Sequence, residues 1–195
     1  MWVCWSGQNR SVRVERSELE HLLRAAGEII GERQFIVIGS QSILGKFPEA
    51  PEELLRSREA DFIAKNKPDS TRMLEAIGEA SRFYETYGYY VDPVDSRTAV
   101  LPKDWKSRLV NLSSPGTKGV TGLCLDPHDL FISKAAAWRD KDIEFIRVML
   151  EHRMVDKDRL LVLATKVPNP EDDPGRAARI KSRIERLCAD HDQPE

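Results

Sequence analysis

The chain has 195 residues, enough for one domain with its own core, and 41% of them are hydrophobic. Lys and Arg (30) nearly cancel Asp and Glu (32), so no overall positive field announces a nucleic-acid binder. Its three cysteines, Cys4, Cys124 and Cys188, have no zinc-ligand spacing and argue against a disulfide framework, and no apolar run nears the roughly 20 residues that cross a bilayer.

The start, Met1-Trp2-Val3-Cys4-Trp5-Ser6, is too short for a secretory apolar segment and soon meets Arg10 and Arg13, so the expectation is a cytoplasmic protein with no membrane partner. Residues 1–16 read as irregular, with Trp2 and Trp5 packed on the body or loose. Ser17 and Glu20 resemble a capping box, and Leu19, Leu22, Leu23, Ala26 and Ile30 then follow helical spacing to Gly31. His21 on this helix has no partner in sequence and reads as a packing or surface residue.

Phe35-Ile36-Val37-Ile38 is an apolar run of strand length that closes on Gly39-Ser40, after which Gln41 to Leu44 read as a short helix. A proline-punctuated loop and a helical turn within 52–57 lead to a second strand, 59–64. On that strand Glu59 and Asp61 stand at i and i+2, hence on one face, with Ala60, Phe62 and Ala64 on the other. A glycine-serine turn lets the backbone approach a phosphate, and paired acids can hold a cation. Each feature alone has a bland reading, an ordinary turn or a solvated sheet face. Together they suit one chemistry, because phosphoryl transfer needs metal ions that bridge a polyphosphate and neutralise developing charge.

A helix over about 70–86 is predicted from the stripe Met73, Leu74, Ile77, Ala80, Ser81 and Tyr84. The aromatic run Tyr87 to Val94 reads as a strand whose tyrosines either stack on a base or pack at a sheet edge. Strands at 98–101, 107–112 and 120–125 complete a small mixed sheet with helices on one side, an α+β fold. From Asp126 the pattern is helical, with Pro127 at a first helical position. Lys134 lies among apolar neighbours there: either it snorkels to solvent or it contacts a triphosphate. His128 and His152 lack partners at ligand spacing and receive no metal role. A helix at 156–165 is followed by the break Pro168-Asn169-Pro170. A charged helix at 174–189 presents Arg176, Arg179, Lys181, Arg183 and Arg186, a face either merely solvated or open to RNA, and a polar tail follows. The expected division is a core over 1–125, a helical subdomain over 126–167 packed on it, and a C-terminal helix and tail over 168–195.

The runs Gly39-Ser40-Gln41-Ser42, Ser57-Arg58-Glu59-Ala60-Asp61, Tyr87-Gly88-Tyr89-Tyr90, Thr98-Ala99-Val100-Leu101-Pro102 and Arg139-Asp140-Lys141-Asp142, with Lys134, resemble a bacterial nucleotidyltransferase family over about residues 20 to 165. That family is similar to the AbiEii and MenT toxin-type enzymes of the DNA polymerase β-like superfamily. The resemblance implies a polymerase β-like fold and transfer of a nucleoside monophosphate from an NTP, with Mg2+ or else Mn2+ as cofactor. Gly39 and Ser40 look like the phosphate-positioning turn, and Glu59 and Asp61 like metal ligands. Lys134, Arg139 and Lys141 look like nucleotide contacts. The acceptor implied is tRNA, a protein or a small molecule, with a cognate antitoxin as a protein partner. The chain departs from the superfamily pattern in its first acid, a Glu rather than an Asp, and in its third. The strand at 107–112 offers Asn111 where a carboxylate belongs, and Asp92 is the substitute, in the role of general base. A catalytically inactive module of the same fold, binding nucleotide or a protein partner, is the rival reading.

Overall fold

Period-two runs in the sequence become a five-stranded mixed sheet in the order β3-β2-β1-β5-β4. Its strands are β1 (Gln34–Ile38), β2 (Glu59–Ala64), β3 (Tyr90–Pro93), β4 (Val110–Leu112) and β5 (Thr121–Cys124). The computed structural model describes residues 13–191. The expectations for Trp2, Trp5, Cys4 and the end of the polar tail lie outside the described residues. Among the described residues no helix is long and apolar enough to cross a membrane.

β1 runs antiparallel to β2 and parallel to β5, while β3 joins β2 in parallel and β4 joins β5 antiparallel. Side chains alternate between faces, so the registers sort the sheet into two surfaces. One carries Phe35, Val37, Ala60, Phe62, Ala64, Val91, Leu112 and Cys124, all fully buried. The helix α1 (Arg16–Ile30) lies on this sealed surface, where Leu23 fills the space that a side chain on Gly122 would need. The opposite surface carries Ile36, Ile38, Ile63 and Leu123, and also Glu59, Asp61 and Asp92.

Helices α3 (Pro127–Ala137) and α4 (Asp140–Glu151) stand across a cleft from the acidic surface, so helices flank both faces of the sheet, not one as the sequence reading has it. The acids need open volume before them, and a second helical layer closes that volume from outside. Behind these helices lie α5 (Lys157–Ala164) and α6 (Arg176–His191), with α6 against α3, α4 and α5.

Several local expectations are corrected. The cap of α1 falls earlier: Glu18 accepts from the Glu15 amide (3.1 Å), and the Ser17 hydroxyl is turned to Glu18 as well. The single helix over 70–86 is broken into a 3-10 stretch, Pro68–Ile77, and α2, Arg82–Tyr87. Gly78 ends the first piece, and the Ser81 side chain starts the second by accepting from the Tyr84 amide. Residues 98–101 form no strand, and Thr98, Ala99 and Val100 line the cleft instead; 105–108 make a helical turn, leaving only Val110–Leu112 in the ladder. The segment after Gly39 is a 3-10 turn, Ser40–Gly45, not an α-helix, so little macrodipole faces the Gly39-Ser40 corner.

Candidate active site

The strand pairing Ile38↔Asp61 puts the end of β1 beside the acids of β2, and Asp61↔Asp92 puts the third acid on the next strand at the same level. Gly39 turns the chain away at that point with φ of +67°, a left-handed conformation that favours glycine. A side chain is also excluded by space: a Cβ here would lie 2.9 Å from the Asp61 carboxyl carbon and would collide with Asp61 Oδ2. The glycine of the turn and the central acid are therefore in contact.

A cleft of about 690 Å³ collects the predicted residues. Gly39, Ser40, Glu59, Asp61, Asp92, Lys134, Arg139 and Lys141 all line it, together with Asp142. Asn111 lies on β4, at the opposite edge of the sheet from Asp92. His128 is spent elsewhere: Nδ1 meets Asp126 Oδ1 (2.8 Å), and Nε2 accepts from the Asp156 amide (2.9 Å).

The strand wall holds excess negative charge. Burial, then Glu59 and Asp92, push the Asp61 carboxyl up to about 7. Burial, then Glu59 and Glu79, raise Asp92 as well. The Tyr90 hydroxyl donates to Glu59 Oε2 (3.0 Å), and its own pKa is raised by burial and by that bond. Sequence reasoning missed this contact, because only the register Glu59↔Tyr90 brings the two together.

The helix wall is closed on itself. Fully buried Asp142 receives Arg139 Nε (2.6 Å) and Lys134 Nζ (3.1 Å). Lys134 reaches on to Ser40 Oγ (2.9 Å) and lies 4.9 Å from the centre of the Phe145 ring. Burial lowers the Lys134 ammonium pKa, against the pull of Asp142. Burial would raise Asp142, but Arg139 and Lys134 outweigh it and hold the carboxyl low. Lys134 is thus neither a snorkelling surface residue nor a lone buried cation; it ties α3 to the serine of the turn.

Glu59, Asp61 and Asp92 offer only hard carboxylate oxygens, the donor chemistry of Mg2+ or Mn2+. Among the described residues no group of three or more His, Cys, Asp or Glu already stands in an arrangement that holds a metal ion. Magnesium is commonly held by one or two carboxylates plus substrate phosphates, so the donor set fits a cation that arrives with a polyphosphate.

No curated protein and no solved structure matches the chain. A family model described as nucleotidyltransferase of unknown function (DUF6036) matches residues 17–177, a span that includes every residue of the cleft. The chain belongs to that nucleotidyltransferase family.

Proposed function

We propose that the cleft moves a nucleoside monophosphate from an NTP to an acceptor hydroxyl with magnesium, on a polymerase β-like nucleotidyltransferase fold. The observation that carries this reading is the register Ile38↔Asp61↔Asp92, which aligns a glycine-serine turn and three acids from two strands on one cleft. The Ser40 hydroxyl and the Lys134 ammonium receive the β- and γ-phosphates, and Arg139 and Lys141 add positive charge along the same wall. Glu59 and Asp61 hold the cation. A cation held there would supply positive charge to neutralise the charge that develops on the phosphates. Asp92, whose raised pKa suits a base, takes the acceptor proton as the acceptor oxygen bonds to the α-phosphorus. The α–β phosphoanhydride bond breaks and pyrophosphate leaves.

The inactive-module reading rests on the lack of a third acid at the position of Asn111; the register Asp61↔Asp92 supports the enzyme over that module. The likeness to AbiEii and MenT toxin-type enzymes favours tRNA as acceptor and a cognate antitoxin as protein partner. The assay incubates the protein with each radiolabelled NTP, magnesium and total tRNA, with protein and small-molecule hydroxyl acceptors in parallel. Label transfer that disappears in Glu59→Gln and Asp61→Asn is expected. No transfer to any acceptor, together with a melting temperature unmoved by NTP and magnesium, overturns the reading.

A further inference from the structure

We infer that α6 is a brace for the nucleotide-contacting wall, and that Arg183 is a positioning residue for Lys134; the inference rests on the transferase reading above. The family match ends at residue 177, so all but the first two residues of α6 lie beyond it. Yet this helix reaches the corner between α3 and α4 that carries Lys134, Arg139, Lys141 and Asp142.

That corner turns on Trp138, a non-glycine residue in the left-handed conformation (φ +57°). Its amide donates to the carbonyl of Lys134 (2.9 Å), so the conformation of Trp138 closes the last turn that holds Lys134. The final carbonyls of an α-helix lack partners within the helix. Arg183 Nη1 donates to two of them, Ala135 O (2.8 Å) and Ala136 O (3.0 Å). The same guanidinium lies 4.6 Å from the Trp138 ring centre, and that of Arg186 lies 5.4 Å from it. A glycine would turn more cheaply here but would give the two arginines nothing to cover. From Trp138 the chain enters Arg139, whose side chain meets Asp142, which in turn binds Lys134. The brace on one side of the corner and the ion network on the other hold the Lys134 ammonium at Ser40.

Arg183 can be removed without undocking α6, because Ile180, Ile184, Leu187 and Cys188 remain buried against the other helices. The test compares Arg183→Ala and Arg183→Lys with Arg179→Ala, a change on the same helix that removes only a surface pair with Asp173. Hydrogen exchange of the free full-length protein is read over residues 134–142. Affinity is measured for ATP, GTP, CTP and UTP, each with magnesium.

In Arg183→Ala the Trp138 amide is expected to exchange roughly tenfold faster or more. Affinity for the preferred nucleotide falls by roughly tenfold. Arg183→Lys recovers part of both, and Arg179→Ala changes neither. Unchanged exchange in Arg183→Ala overturns the brace. Faster exchange with unchanged affinity overturns the link to Lys134. A wild type that takes none of the four nucleotides sinks the transferase reading, and with it the claim that the brace serves a nucleotide, while the exchange arm still decides whether α6 holds the corner.

Discussion

On the strand wall of the cleft, Asp61 faces Glu59 and Asp92, and the positive charge of Lys134 and Arg139 only partly opposes them. On the helix wall, buried Asp142 is met by both Lys134 and Arg139. Two aspartates in one cleft are therefore driven in opposite directions, Asp61 up to about 7 and Asp142 below the usual carboxylate range. The helix wall is complete without a ligand, so its cation can be held rigidly at Ser40. The strand wall keeps Asp61 and Asp92 raised above their ordinary range, with no ion pair to either among the described residues. Preorganisation sits on one side and stored repulsion on the other, which suits a substrate that carries both a polyanion and a metal.

Isosteric amides at the two aspartates should separate these roles. Asp61→Asn is expected to lower label transfer by about 10²-fold or more, since metal-borne charge stabilisation is worth several kcal/mol. The same change should raise the melting temperature of the metal-free protein at pH 8 by a few degrees, because about 1 kcal/mol of burial cost and like-charge repulsion on the ionised carboxyl is lost. Asp142→Asn should do the reverse to stability. It leaves Lys134 and Arg139 without a charged partner and costs about 3 kcal/mol, or roughly 6–12 °C in melting temperature. If both amides shift the melting temperature in the same direction, the contrast between the walls is wrong.

How much of this was legible follows from what periodicity can carry. Gly39, Ser40, Glu59 and Asp61 were readable because a strand alternates faces and a glycine-serine pair ends one. Asp92 was readable only as the nearest spare acid, because strand register is not written in local sequence. The parallel pairing of β3 with β2 decides it, and that pairing begins after the chain reverses at Gly88, in the left-handed conformation. Asn111 drew attention because its strand was real, but β4 lies at the far edge of the sheet. The apolar residues of 98–101 looked like a strand, yet Thr98, Ala99 and Val100 serve as cleft wall, a role that leaves no ladder pattern. The arginines of α6 read as a face either merely solvated or open to RNA. Arg176 and Arg179 pair with Asp173, while Arg183 and Arg186 cover Trp138, so most of that charge is used within the chain.

Acidity gives a finer test of the strand wall. The folded pKa of Asp61 lies above its unfolded value, so below that unfolded value, about 3.8, the protonated side chain costs nothing extra. As pH rises from there to about 7 the unfolded chain ionises this carboxyl while the folded protein keeps it protonated, so stability falls, and the fall ends once the folded carboxyl ionises too. Wild-type protein in EDTA should therefore lose melting temperature between about pH 4 and pH 7 more steeply than Asp61→Asn, and added magnesium with NTP should flatten the wild-type slope. Equal slopes for the two proteins would place the repulsion elsewhere.

The smallest effect is expected where the two sides of the cleft touch at its mouth. Arg56 Nη1 lies 2.9 Å from Glu144 Oε1 and links the segment before β2 to α4. Both side chains are mostly exposed, at 65% and 63%, so water screens the pair. A double-mutant cycle with Arg56→Ala and Glu144→Ala should give a coupling of about 0.5 kcal/mol at low salt that vanishes in molar salt. A bond this weak parts at little cost. A coupling above about 2 kcal/mol that survives salt would mean a desolvated clamp between the walls. The strand wall's repulsion would then be confined behind a closed mouth, and its relief by an incoming cation would require the clamp to break first.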